Sequence, residues 1–204
     1  MALCKRGDRM AFSKGKRIED ETSQRIIDLA VNIGCKEGPD ALTVTRICRE
    51  LSCDRRVIYN RFRDVDEINL IVAGRCNAEL LKNARAALKP EASYYENLLA
   101  LIQAGFTYIY EKNAFFQYYT ALYQVEEDGI HNEILQNLEE YIEKGKESGE
   151  INIQTGSREA AESIWLILTG ISRMLAANVN YKYQDGYKTL MYGIHAICHE
   201  MSAS

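Results

Sequence analysis

The chain has 204 residues, 47% of them apolar and 26% charged, with 2 Pro and 13 Gly, which excludes a low-complexity or intrinsically disordered protein and leaves room for one sizeable domain or a small one joined to a larger. The net charge of -4 is unevenly spread: residues 1–63 carry 14 Lys/Arg against 9 Asp/Glu, a balance of +5, and the remainder stands at -9. A basic head on an acidic body suits a polyanionic partner at the head. No apolar run has the form of a signal peptide and no later stretch reaches bilayer-spanning length, so a cytoplasmic protein without a membrane partner is expected. Six Cys without a CxxC pair read as free thiols rather than a disulfide framework.

Residues 1–17 are rich in Lys, Arg, Gly and Ser and lack a period, the pattern of a mobile basic arm. From Glu19 to about Cys35, Ile26, Ile27, Ala30 and Ile33 follow one helix face, and Gly38-Pro39 closes the helix. Thr43 is placed to cap a second, short helix with Val44, Ile47, Cys48 and Leu51 as its inner stripe. Ser52-Cys53-Asp54 makes a turn, Asp54 caps a third helix, and Val57, Ile58 and Phe62 give that helix its apolar side. Asp64 with Glu67 forms a capping-box pattern opening a long helix to about Leu88, before Pro90. Ser93 with Glu96 forms another, and further helices are expected at about 114–126, 130–147, 157–178 and 185–201. No alternating strand pattern occurs, so the expected fold is all-α, with about nine helices.

Two short helices across a tight turn, the second polar and basic opposite its apolar side, have the form of a helix-turn-helix, whose second helix fits the major groove of double-stranded DNA. Arg55, Arg56, Tyr59, Asn60 and Arg61 supply donors suited to phosphates and to purine edges. A charged surface helix has the same composition, and that reading stands beside the first.

From Arg25 to Ile68 the order of residues narrows the choice. Ile26-Ile27-Asp28-Leu29-Ala30, Gly38, Thr43-Val44, Ile47-Cys48-Arg49-Glu50-Leu51, Ile58-Tyr59, Phe62 and Glu67-Ile68 follow one another as in the DNA-binding region of the TetR (tetracycline repressor) family, which this stretch resembles without a gap. The resemblance implies an N-terminal three-helix DNA-binding domain, residues 18–64, and a helical effector-binding and dimerisation domain, residues 65–204. It implies that Thr43, Thr45 and Tyr59 meet the DNA backbone while Arg55, Arg56 and Asn60 face the groove; Arg46, Arg61 and the arm residues Lys14, Lys16 and Arg17 are further basic candidates for DNA contact. Three residues depart from the family pattern: Ser52 where the turn usually has glycine, Arg56 where glycine is common, and Val65 where a lysine usually meets phosphate.

The resemblance further implies a homodimer paired through the last two helices, by Ile164, Ile167, Leu168, Ile171 and Leu175 on one and Leu190, Ile194, Ile197 and Met201 on the other. The same stripes also suit the monomer's own core. An effector pocket is expected where aromatics concentrate, at Phe106, Tyr110, Phe115, Phe116, Tyr119, Tyr123 and Trp165, for a small apolar or aromatic compound. Each of these rings, taken singly, is more often part of a packed core than of a ligand wall.

His195 and His199 lie four apart on one helix face with Cys198 beside them, but no further ligand follows at fixed spacing, so no metal is expected. Glu126, Glu127 and Asp128 read as a solvated turn, and no cofactor is implied. With no phosphate-binding glycine loop, no GxSxG and no HExxH, the chain reads as a ligand-responsive repressor rather than an enzyme. The alternative is an all-α sensor or interaction module without specific DNA binding, which the departures at Ser52 and Val65 would explain.

Overall fold

The computed structural model describes residues 18–123, 131–153 and 155–199. Among them are nine α-helices and no strand: α1 Glu21–Glu37, α2 Val44–Leu51, α3 Arg55–Tyr59, α4 Val65–Ala86, α5 Tyr94–Glu111, α6 Asn113–Tyr123, α7 His131–Glu147, α8 Ser157–Ala177 and α9 Tyr183–His199. A single 3₁₀ turn, Pro39–Ala41, lies between α1 and α2. The all-α expectation is met, and the helix ends that fall within the described residues lie within three residues of those expected, the expected ends at 126, 130 and 201 lying outside them. Lys14, Lys16, Arg17, Met201 and the acidic Glu126, Glu127 and Asp128 lie outside the described residues.

The helix starts are set by side chains that satisfy orphan backbone N–H groups. Asp20 accepts from Ser23 N at 2.9 Å, Thr43 from Arg46 N at 3.1 Å, Asp54 from Arg56 N at 2.8 Å and Asp64 from Glu67 N at 2.9 Å. Ser93 and Glu96 form a reciprocal capping box. The box expected at Asp64 is displaced, because the Glu67 carboxylate accepts from Arg63 N, one residue before the cap.

At the end of α2, Ser52 sits in the left-handed region, φ 51° and ψ 45°. Cys53 N donates back to Cys48 O at 3.0 Å and closes the turn. The left-handed conformation is open to glycine at no steric cost and strains a residue with a Cβ by about 1–2 kcal/mol. Ser52 therefore keeps the turn at a local cost, and the geometry between α2 and α3 is intact.

Two hydrophobic cores are joined through α4. The head core gathers Ile26, Ile27, Ala30 and Ile33 of α1, Leu42, Ile47, Ile58 and Phe62, and takes Ile68 and Val72 from α4 and Tyr118 from α6. The body core begins at Ala73, Cys76 and Leu80 of the same helix and runs through α5 to α9. Tyr118 is the point where body enters head: its ring lies on Gly34 so closely that a Cβ there would fall 2.1 Å from the ring, and its hydroxyl donates to Asn69 Oδ1 at 2.6 Å.

Contrary to the sequence expectation, α8, at 21 residues, is long and apolar enough by length and composition to cross a membrane. Its Ala160, Ala161, Ile164, Trp165, Leu168 and Ile171 side is buried within the bundle, and Arg158, Glu159, Glu162 and Arg173 lie along it. A core helix of a bundle passes the same test.

Replacing Ser52 with Gly relieves the left-handed strain, partly offset by the greater backbone freedom of glycine when unfolded. It is expected to stabilise the protein by about 0.5–1 kcal/mol. Urea denaturation of the two proteins, fitted with a common slope, measures the difference.

Candidate DNA interface and ligand cavity

The exposed side of the helix-turn-helix brings together most of the residues expected there. Thr43, Thr45, Arg55, Arg56 and Asn60 are exposed, and Tyr59 is 54% exposed although α3 is only five residues long. Ile58 is fully buried on the opposite side of the same helix, which fixes its rotation and turns Arg56 and Asn60, one turn apart, outward. Arg55 Nη2 donates to Thr45 Oγ1 at 3.0 Å, a bond across the turn that holds α2 and α3 in register. The Arg56 guanidinium has no side-chain partner among the described residues. Its donors are therefore available to a base edge or a phosphate.

Two of the expected contacts are turned inward instead. Arg46 grips Glu37 at the end of α1 with two bonds of 2.7 and 2.6 Å, and approaches Glu50 at 3.5 Å. Its guanidinium beside Glu37 lowers the Glu37 carboxyl below the usual range. Arg61 holds Asp20 through Nε at 2.9 Å and Nη2 at 2.5 Å, and donates to Val57 O at 2.9 Å. These arginines tie α1 to α2 and α3. A bidentate guanidinium–carboxylate pair fixes both side chains, and the acidic partners, 9 and 41 residues away in sequence, are not visible from the local pattern.

Arg49 and Arg63 supply outward charge that the sequence reading left aside. Arg49 lies on α2 one turn from Thr45 with a side chain 74% exposed, which helical spacing alone reveals. Arg63, paired with Asp64 at 2.7 Å, stands at the entry to α4 beside Val65.

In the body, most of the aromatics expected to line a pocket are packed in the core instead, while Tyr110 is 41% exposed. Phe106, Phe116 and Tyr119 are fully buried. Phe116 meets Tyr119 and Trp165 at ring distances of 5.6 and 5.8 Å, Phe106 meets Tyr183 at 5.0 Å, and Tyr110 lies edge-on to Tyr183 at 5.1 Å. Phe115 is partly buried against both cores. The Tyr123 side chain lies outside the described residues. Tilted and edge-to-face rings satisfy one another and leave no space between them.

The open space lies one layer away, between α4, α5, α7 and α8. A cavity of about 150 Å³ is lined mainly by Leu80, Leu81 and Ala84 of α4 and Leu88 just beyond its end, Leu101, Ile102, Gly105 and Ile109 of α5, Ile134 and Leu138 of α7, and Ile164, Trp165 and Leu168 of α8. Only Trp165 of the expected aromatics is on its wall. Arg85, Asn137 and Tyr141 are its polar members. Gly105 marks it, since a Cβ built there meets only Leu80 Cδ1 at 3.8 Å. Glycine in the middle of α5 weakens that helix, and here the missing side chain leaves volume open.

The expected dimer stripe is also redistributed. Ile164, Leu168, Ile171, Leu190 and Ile194 are buried in the monomer's own core, while Ile167, Leu175 and Ile197 pack partly against it. The outward side of α8 and α9 instead exposes Leu166 at 68%, Met174 at 47% and Tyr192 at 80%. The rotation of each helix is decided by its most buried side: α8 must serve α5, α6, α7 and α9 together, so its inner stripe is wide. No group of three or more potential metal ligands occurs among the described residues, and His195 is exposed on α9.

No family model and no curated protein sequence matches the chain. Solved structures do match. A transcription regulator of the TetR family from a Shewanella strain superposes with a TM-score of 0.70 at 16% identity, over 87% of this chain and 98% of that one. A fatty acid degradation regulator from Bacillus halodurans gives 0.68 at 15%, over 89% and 97%. A protein solved in complex with isovaleryl coenzyme A and operator DNA gives 0.66 at 10%, over 87% and 98%. The chain has the TetR fold. In this TetR-like arrangement the three-helix head comes first and the helical body follows, in the order that the Arg25–Ile68 resemblance implies.

The ion pair that anchors the head has a pH signature. Asp20 accepts from Arg61 and from the Ser23 amide, and the Arg61 guanidinium holds its carboxyl well below the ordinary carboxylate range. A lowered folded-state value means that the pair stabilises the fold above the unfolded value of about 4 and loses that contribution as pH falls through the lower folded value. Asp20→Asn keeps an N-cap oxygen but removes the charge. It is expected to lower the melting temperature at pH 7, with the gap to wild type narrowing steadily below about pH 4.

Gly105→Ala adds one methyl group into open space and improves the helix. It is expected to stabilise the body by about 0.5–1 kcal/mol, read by chemical denaturation. A loss of stability would show that the space beside Gly105 is already filled.

Proposed function

We propose that the protein is a ligand-responsive, DNA-binding transcription regulator, acting as a repressor and as a homodimer on a near-palindromic operator. The observation that carries the reading is the exposed face of Arg55, Arg56, Tyr59 and Asn60 on a helix-turn-helix, with one long helix linking that head to an apolar cavity. The TetR-like fold agrees with it, and the neighbour solved with both an acyl coenzyme A and operator DNA is a precedent for joining the two activities in this architecture. The same neighbours favour a binding protein over an enzyme.

On this reading, Arg56 and Asn60 meet base edges, Thr43, Thr45 and Tyr59 meet phosphates, and Arg49 with the arm residues Lys14, Lys16 and Arg17 adds phosphate contacts. Residues 18–64 act as the DNA-binding unit, and residues 65–204 bind the effector and the second subunit. The outward side of α8 and α9 pairs two copies, with Leu166, Met174 and Tyr192 at its centre and Gly170 allowing close approach. Dimerisation sets the spacing of two recognition helices and links two weak half-site interactions into one strong one.

The switch needs a physical link, and α4 supplies it. Its C-terminal half walls the cavity, its N-terminal half packs in the head core, and Arg75 between them bonds Asp28 of α1 at 2.9 Å and Glu79 at 3.1 Å. A ligand that fits the cavity better in one setting of α4 than in another shifts the head by that difference in affinity, and no further.

Binding to mixed genomic fragments at two salt concentrations tests the reading. A specific fraction that survives the higher salt supports it, and uniform, salt-labile retention of all fragments overturns it. On a recovered site, Arg56→Ala is expected to cost about 1–3 kcal/mol and to relax preference at the base it meets.

Leu166→Glu places a charge on the exposed side of α8 without disturbing the monomer core. Sedimentation is expected to show the wild type as a dimer and the variant as a monomer with much weaker operator affinity. Charging Ile171 or Ile194 instead unfolds the bundle, because both are buried.

A further inference from the structure

The cavity walls are apolar, aliphatic side chains with Trp165, except at one place. There the Arg85 guanidinium, exposed on α4, donates through Nη2 to Asn137 Oδ1 of α7 at 2.5 Å. Asn137 is itself oriented by donating Nδ2 to Glu133 O at 2.7 Å, so its oxygen is fixed toward Arg85. Tyr141 follows one helical turn beyond Asn137 on the same wall. Arg46, Arg61, Arg63, Arg75 and Arg158 each hold a carboxylate, whereas Arg85 has no acidic partner among the described residues. A positive charge is thus held at the edge of an apolar space by a neutral amide, with most of its donors unspent.

We propose that this cavity binds an anionic amphiphile, an unbranched or lightly branched aliphatic carboxylate, with its chain between α5 and α8 and its carboxylate on Arg85. The inference rests on the reading of the body as an effector domain and adds the chemical class of the effector. A guanidinium matches a carboxylate with two parallel bonds, and bulk at the Gly105 side would shorten the space for the chain. A cavity of 150 Å³ is the size that accommodates a benzene ring, so the buried part of the chain is about six to eight carbons. The lining is mostly aliphatic along the chain, so length and head charge set the preference.

Trp165 is the only tryptophan and lies on the cavity wall, so its emission reports occupancy directly, without DNA. Octanoate, octan-1-ol and acetate are titrated into the full-length wild type, Arg85→Gln, Arg85→Lys and Gly105→Leu. Octanoate is expected to shift the emission saturably and to bind at least tenfold tighter than octan-1-ol, with acetate silent. Arg85→Gln is expected to bring the two eight-carbon compounds within twofold, and Arg85→Lys to restore part of the gap. Gly105→Leu fills the space and is expected to abolish both responses while the helical content is kept. Equal affinity of the wild type for octanoate and octan-1-ol overturns the role of Arg85, and an unchanged octanoate response in Gly105→Leu overturns the cavity as the site. Operator affinity measured with and without saturating octanoate is a separate readout. Selective binding that leaves DNA affinity unchanged upholds the ligand class and overturns the regulatory reading alone.

Discussion

One helix belongs to two cores, and the rest of the structure is arranged around that constraint. α4 buries Ile68 and Val72 with the head and Ala73, Cys76 and Leu80 with the body. At 22 residues it is about 33 Å long and behaves as a stiff rod, because its backbone bonds are satisfied internally. Any displacement that the body imposes on its C-terminal half is carried to the head. Tyr118 and the Asp28–Arg75 pair close the same junction from two other sides, so the head cannot turn on α4 as on a free hinge.

The head illustrates how a basic surface divides its labour. Arg46 and Arg61 are drawn inward by Glu37 and Asp20, and the small three-helix unit gains cross-links that its few buried side chains could not provide. Arg49, Arg55 and Arg56 remain outward. Arg55 is positioned through Thr45, and Arg56 is left with free donors. A net positive count overstates the charge that the head offers to a polyanion, since part of it is already neutralised within the fold.

In the body, the division between packed core and open space follows side-chain shape. Aromatic rings of α5, α6 and α9 close on one another in tilted and edge-on pairs, while aliphatic side chains around a mid-helix glycine leave a cavity of about 150 Å³. Flat rings have a small set of favourable mutual orientations, tilted and edge-to-face among them. Where Gly105 faces Leu80 across α4 and α5, no side chain is long enough to fill the gap.

Much of the architecture was legible in the sequence. The caps at Thr43, Asp54, Asp64 and Ser93, the helix order and the outward face of α3 are local properties, set by residues within one or two turns of each other. The order from Arg25 to Ile68 added the family resemblance and, with it, the fold of the whole chain. Helix rotation in the body was not legible. Ile164, Ile171 and Ile194 have the periodicity of a stripe, and periodicity does not say whether a second copy or the chain itself covers it. The inward turn of Arg46 and Arg61 and the placement of Arg85 at an aliphatic cavity depend on partners from distant segments, and only the tertiary structure brings those together. Local hydrogen bonding and periodicity fix the elements, whereas the packing of several helices at once decides which side of each is left for another molecule.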